Sequence, residues 1–175
     1  MKKKIAINGF GRIGRLTLRA FFAKKTEEFE ISAINDLGNV ESNIHLYKYD
    51  TVHGKCKELI NNNSGTVTIN NQEIKFLSEP NPSKLPWRDL DIDLVIESTG
   101  FFTDRNGAEK HLEAGAKKVL ISAPAKDPDF TVVYGVNDND LIDDHKIISN
   151  ASCTTNCLAP LAYLLENSVG LISGY

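Results

Sequence analysis

The chain has 175 residues, with 20 Lys+Arg against 23 Asp+Glu for a formal charge of −3, and 41% hydrophobic and 25% charged residues. That composition predicts a globular protein, and at about 100–200 residues per domain it allows one complete domain and the start of another. A near-neutral chain lacks the basic field that draws phosphate backbones, which argues against a nucleic-acid partner, and no stretch approaches the ~18 apolar residues of a membrane span.

Lys2 to Asn8 (KKKIAIN) is a short β-branched run ending at Gly9, and helical spacing follows from Arg12 through Leu16, Leu18, Ala20, Phe21 and Phe22. A second run, Glu30 to Ile34, completes a βαβ unit, so the two strands should pair in parallel. A weaker helical pattern covers Ser42 to Tyr49, and the stretch from Asn61 to Gly65 is rich in turn residues. Thr66 to Ile69 and Glu73 to Leu77 alternate on either side of Asn70, Asn71 and Gln72, which predicts an antiparallel hairpin inserted into the α/β pattern. Pro80, Pro82 and Pro86 then call for an extended loop. Strands are expected over Asp93–Ser98, Lys118–Ser122, Thr131–Val136 and Lys146–Ser149, with a helix over Asp104–Ala116. Strands alternating with helices predict a doubly wound, mostly parallel α/β sheet. Ser152 to Asn167 has helical spacing despite Pro160, and Val169 to Ile172 reads as a strand beginning just before the sequence ends at Tyr175. Such an ending predicts a piece of a longer protein.

Gly9, Phe10, Gly11, Arg12, Ile13 and Gly14 spell G-x-G-x-x-G between the first strand and the first helix, where backbone amides and the helix N-terminus can hold a pyrophosphate. Asp36 follows Gly14 by about twenty positions, at the end of the second strand, where a carboxylate accepts hydrogen bonds from the adenine ribose. The same carboxylate repels a 2′-phosphate, and the neighbouring Leu37 offers no cation, so the pattern favours NAD over NADP. A glycine turn that only closes the fold, with Asp36 a solvated strand-end residue, is the plainer alternative.

Ser149 to Asn156 (SNASCTTN) puts Cys153 at the start of the last helix. The positive end of a helix favours thiolate over thiol, and the thiolate is the nucleophile; Ser152 and Thr154 add hydroxyl donors beside it. A small buried cysteine is the competing reading. Cys157, one turn on, reads as a packed core thiol, and Cys56 has no evident partner. Three cysteines are too few for a secreted disulfide framework, which points to the cytoplasm, and no following His or Cys completes a zinc set, so no metal is expected. Of His45, His53, His111 and His145, none has a spacing that makes it a base, and a Cys153–His145 hydrolase would leave the nucleotide fingerprint without a purpose.

INGFGRIGR at Ile7–Arg15, ESTGFF at Glu97–Phe102 and SNASCTTNCLAP at Ser149–Pro160 together resemble the phosphorylating glyceraldehyde-3-phosphate dehydrogenases, as do NDL at Asn35–Leu37, AGAKKVLISAPAK at Ala114–Lys126 and VVYGVN at Val132–Asn137, in the same order. The resemblance covers essentially the whole chain. It implies a Rossmann NAD domain over residues 1–150 and, over 151–175, the first helix and the beginning of a strand of an α+β catalytic domain. It implies that Gly9, Gly11, Arg12, Ile13 and Gly14 cradle the pyrophosphate and that Asp36 binds the ribose. Glu79 and Pro80 would lie by the adenine, and Thr99, Phe102 and Ser122 would line the cleft. Cys153 would be the nucleophile, with Ser152 and Thr154 binding substrate or attacking phosphate. Pro80 stands where many members carry an arginine.

The reaction implied is oxidation of glyceraldehyde 3-phosphate, with NAD and inorganic phosphate, to 1,3-bisphosphoglycerate through a cysteine thioester, in glycolysis, by a cytoplasmic homotetramer. The family's activating histidine and remaining phosphate-site residues lie beyond Tyr175, so this portion alone is expected not to turn over. A nucleotide-binding module without chemistry and an erythrose-4-phosphate dehydrogenase are the alternatives.

Overall fold

The computed structural model describes residues 2–24, 26–63 and 66–174. Eleven strands and four α-helices follow one another as β1 (Lys3–Asn8), α1 (Arg12–Lys24), β2 (Phe29–Asn35), α2 (Val40–Lys48), β3 (Tyr49–Asp50), β4 (Gly54–Lys55), β5 (Ile60–Asn63), β6 (Thr66–Ile69), β7 (Gln72–Leu77), β8 (Leu94–Glu97), α3 (Arg105–Glu113), β9 (Lys118–Ile121), β10 (Phe130–Thr131), β11 (Ile147–Ser149) and α4 (Cys153–Val169). Nine strands form one sheet in the order β10-β11-β9-β8-β1-β2-β7-β6-β5, and β3 and β4 make a separate two-stranded ribbon. From β10 to β7 every pairing is parallel, while β6 and β5 are antiparallel additions at one edge. This is the Rossmann-type α/β fold expected from the alternation, with its inserted hairpin. The chain order reverses between β1 and β8, which makes their carboxyl ends the place where a doubly wound sheet opens a crevice.

Both faces of the sheet are covered. Ile5, Ile7, Ile34 and Ile96 pack under α1 and α2 with Leu18, Phe10 and Tyr47, whereas Ala6, Ala33 and Val95 face the loop carrying Leu85, Trp87 and Ile92. Val119, Ile121 and Ile147 close against Ala108 of α3. Burial on two sides is why β1 reads as a nearly continuous apolar run rather than an alternating one.

The hairpin turn is the two residues Asn70 and Asn71, at φ 47° and 69°, a left-handed pair that asparagine tolerates better than most side chains. Four sequence expectations are corrected. Ile60–Asn63, which takes in Asn61 to Asn63 of the segment read as turn-rich, is strand β5, recruited because β6 offers a free edge at Ile69 to Thr66; Ser64 and Gly65 of that segment lie outside the described residues. The strand expected over Thr131–Val136 stops at Thr131, where Asn137 turns back to bond the Val133 amide and the Thr131 carbonyl. The proline loop contains a short 3₁₀ turn over Pro82–Lys84, capped by Asn81. No strand begins at Val169, which ends α4, and residues 170–174 carry no assigned element.

Ile74 is fully buried, while Leu59, just before β5, is 77% exposed. Ile74→Ala is expected to lower the unfolding free energy by about 2–5 kcal/mol and Leu59→Ala by no more than about 0.5 kcal/mol. Urea titration checks this, and equal losses would contradict the packing described.

Candidate dinucleotide site and thiol

The residues singled out in sequence follow the carboxyl ends of parallel strands. Gly9 follows β1, Asp36 follows β2, Glu79 follows β7, Thr99 follows β8, Ser122 follows β9, and the Asn150–Cys153 turn follows β11. The topology therefore brings them to one edge of one sheet.

Gly9 sits at φ 90°, and a Cβ there would lie 2.6 Å from the Thr99 amide nitrogen. At Gly14 it would lie 2.2 Å from the Gly9 carbonyl oxygen, so α1 starts directly on the turn. A Cβ at Gly11 meets no protein atom within 4 Å. Packing therefore requires the first and third glycines, whereas the second keeps the front of the helix open to close approach. The first turn of α1 holds no acidic residue, and a helix leaves its leading amides without intrahelical partners. That combination suits a pyrophosphate. Ile13 is half exposed beside it, and Arg12 reaches the Asp50 carboxylate at 3.0 Å. The His53 amide, above all, then the His53 ring, the Val52 amide and Arg12 hold the Asp50 carboxyl well below the usual range, against some desolvation.

Asp36 Oδ2 accepts from the Phe10 amide at 2.7 Å, and Oδ1 accepts from the Gly38 amide at 2.8 Å and Asn43 Nδ2 at 3.0 Å. Burial pushes its pKa up, but these three bonds and the charge of Arg15 outweigh it and hold the carboxyl below its ordinary value. Of roughly four acceptor positions on a carboxylate, these bonds leave about one free for a ribose hydroxyl.

A set of buried polar side chains that sequence patterning did not single out lies beneath the edge. Glu97 Oε2 accepts from Asn8 Nδ2 at 2.6 Å and pairs with His111 Nε2 at 3.0 Å, while Oε1 accepts from the Thr99 amide at 2.8 Å and from the Thr99 hydroxyl. Trp87 Nε1 donates to His111 Nδ1 at 2.9 Å. Asn35 Nδ2 donates to Asn8 Oδ1 at 2.7 Å and to the Glu79 carbonyl at 2.9 Å, and its Oδ1 accepts from the Glu79 amide at 2.8 Å. The one sequence signal was a polar residue ending three adjacent apolar strands: Asn8, Asn35 and Glu97.

Other residues are placed as follows. The Ser122 amide donates to the Glu97 carbonyl at 2.9 Å. Phe102 turns toward α3, edge-on to His111 with Lys110 over its face, and Phe101 projects outward. Pro80 is exposed beside Glu79, whose backbone is bonded by Asn35.

Cys153 opens α4 and is exposed in this chain. Ser152 caps the helix by accepting from the Thr155 amide at 2.9 Å, and its hydroxyl lies 2.9 Å from that of Thr154. Ala151 before it is buried at φ 55°, an unfavourable conformation for a side chain, supported by a bond from its amide to Ser149 Oγ at 3.2 Å. Cys157, expected as a packed core thiol, is exposed here like most of α4. His145 stacks on Phe130, His53 pairs with Asp50, His45 leans on Tyr49, and His111 is enclosed in the core.

Asp36→Asn is expected to cost about 1 kcal/mol of stability near pH 7, as befits a partly exposed charged hydrogen-bond acceptor. With the folded pKa depressed, the wild-type advantage holds above about pH 4 and is lost as pH falls through the folded value. Urea midpoints of both proteins across that range check the sign, and an advantage that grew in acid would contradict it.

Residues 3–105 match the family described as glyceraldehyde 3-phosphate dehydrogenase, NAD binding domain. The chain is 51% identical over 171 residues to glyceraldehyde-3-phosphate dehydrogenase of Thermotoga maritima, covering 98% of this chain and 51% of that protein. It is 51% identical to that of Streptomyces coelicolor over 176 residues, 99% of this chain and 52% of the relative, and 49% identical to that of Xanthobacter flavus over 175 residues, 100% and 52% respectively. The chain thus spans about half the length of the curated relatives it matches. On the strength of the glycine turn, the sheet order and these matches, the chain belongs to the glyceraldehyde 3-phosphate dehydrogenase family and carries its NAD-binding domain.

Proposed function

We propose that the protein oxidises glyceraldehyde 3-phosphate with NAD and inorganic phosphate, yielding 1,3-bisphosphoglycerate by way of a thioester on Cys153. The observation that carries this reading is the placement of the Asp36 and Cys153 turns on one sheet edge, four strand positions apart from β2 to β11. At about 4.8 Å per strand that is about 19 Å, the span of an extended dinucleotide. The ribose end then sits at Asp36 and the nicotinamide end beside the thiol.

NAD fits the residues present: Gly9, Gly11 and Gly14 leave the amides of α1 open, Arg12 and Ile13 flank them, and Thr99 and Ser122 stand at the crevice. When bound, NAD supplies the hydride acceptor. The chain's own part is nucleophilic. Cys153 thiolate adds to the aldehyde carbon, forming a C–S bond and a hemithioacetal alkoxide; loss of hydride restores the carbonyl as a thioester. Phosphate oxygen then attacks that carbonyl, the C–S bond breaks, and thiolate leaves with its electron pair. A thiol is needed because a thioester passes its acyl group to phosphate far more readily than an oxygen ester does. Ser152 and Thr154 offer hydroxyl donors to the anionic oxygens, and the Cys153 amide at the helix start faces the developing alkoxide.

Residues 1–150 form the NAD domain in this reading, and 151–175 open the catalytic one. The base comes from the half of the relatives' length that this chain does not span, so the 175-residue portion binds NAD without turning over. The setting is the cytoplasm; among the described residues no helix is long and apolar enough to cross a membrane.

In the protein at its natural length, NADH formation should require both the aldehyde and phosphate, and Cys153→Ser should lower kcat by about 10³-fold or more while NAD still binds. Asp36→Ala should weaken NAD about tenfold, a loss of about 1.4 kcal/mol. Faster turnover on erythrose 4-phosphate would reassign the substrate, and full activity of Cys153→Ser would overturn the mechanism.

A further inference from the structure

Glu97 is 1% exposed and His111 fully buried, and among the described residues neither is paired with a lysine or arginine. An indole N–H can only donate, so the Trp87 bond leaves His111 Nδ1 unprotonated and puts the ring proton on Nε2, facing Glu97. Four donors then converge on the Glu97 carboxylate: the Thr99 amide and hydroxyl on Oε1, Asn8 Nδ2 and His111 Nε2 on Oε2. All its acceptor positions are used, and a protonated carboxyl, which must donate, has no acceptor to meet there. The 3.4 Å approach of Asn8 Nδ2 to His111 Nε2 is two donors crowding one oxygen.

A buried anion without a cation is costly, and an apolar side chain of its size would fill the same space more cheaply. What the carboxylate does beyond filling space is hold Thr99, the residue against which Gly9 packs. The same network runs on through Asn8 and Asn35 to the backbone of Glu79, and the Glu97 carbonyl holds the Ser122 amide. It therefore ties together the segments after β1, β2, β7, β8 and β9, each of which borders the cofactor crevice.

We propose that Glu97, oriented by the neutral His111, is the positioning residue of the NAD cleft, fixing Thr99 and the strand-end turns in the arrangement that receives the dinucleotide. The proposal rests on the NAD assignment.

Two near-isosteric replacements separate the two faces of His111. His111→Gln keeps an N–H directed at Glu97 and loses the acceptor for Trp87; His111→Asn keeps that acceptor and loses the donor to Glu97. In the protein at its natural length, NAD affinity is measured by calorimetry well below each variant's thermal midpoint, alongside KM and kcat. Both variants lower the midpoint. His111→Asn is expected to raise the NAD Kd and KM about tenfold or more, the loss of about one oriented charged hydrogen bond, with kcat within about threefold. His111→Gln stays within about threefold of wild type in both, rescuing the cleft without rescuing stability. Glu97→Gln, which sets an amide N–H₂ against donors, is expected to weaken NAD at least as much as His111→Asn. Equal NAD affinity in folded His111→Asn and wild type, or losses in both His111 variants that simply track the thermal midpoint, would overturn the proposal. Should Glu97→Gln fail to fold, the His111 pair decides. A wild type that does not bind NAD would overturn the cofactor assignment itself and the proposal with it.

Discussion

Two backbone turns pressed against each other set the geometry of this sheet edge. Gly9 lies so close on Thr99 that no side chain fits between them, and Gly14 lies as closely on Gly9. The first contact brings the ends of β1 and β8 together where the strand order reverses; the second starts α1 at the mouth of the crevice. A methyl group at either point would push the helix away from the sheet and carry its amides with it. The surface at this edge is thus made mainly of main chain, positioned from below by side chains.

Those side chains are mostly acceptors already occupied by the protein. Asp36 is bonded by the Phe10 and Gly38 amides, Asp50 by the His53 and Val52 amides, and Glu97 by Thr99, Asn8 and His111. Each carboxylate fixes a turn with hydrogen bonds about twice as strong as neutral ones. Negative charge at such an edge would ordinarily repel an anion. Here it is turned toward backbone amides, and the outward face of α1's first turn carries no acid.

Local chemistry made much of this legible in advance. The glycine spacing, the acid after β2 and the paired asparagines at the hairpin each have one dominant physical reason that acts over a few residues. What failed to read was decided at longer range. Asn61 to Asn63 have poor strand propensity and became β5 because β6 presented an unpaired edge to them. Thr131 to Val136 alternate well, yet Asn137 captures backbone groups that a longer strand would need. The Glu97–His111 pair was invisible because its partners lie 14 residues apart in sequence and bear no periodic relation. Cys157 follows helical spacing but faces outward, since periodicity identifies an apolar stripe and not what covers it.

The turn before α4 has a mechanical meaning. The Asn150 amide is bonded to the Ile121 carbonyl of β9, Asn156 reaches back to the Asn150 carbonyl, and Ala151 is buried. The anchoring on the helix side is thus confined to its first turn, where Asn156 also bonds the Ser152 carbonyl. Cys153 is therefore held to the sheet through the turn before it as well as by the first turn of its helix. The sulfur is thereby tethered, through Asn150 and Ile121, to the same sheet that carries the glycine turn, like two teeth on one comb.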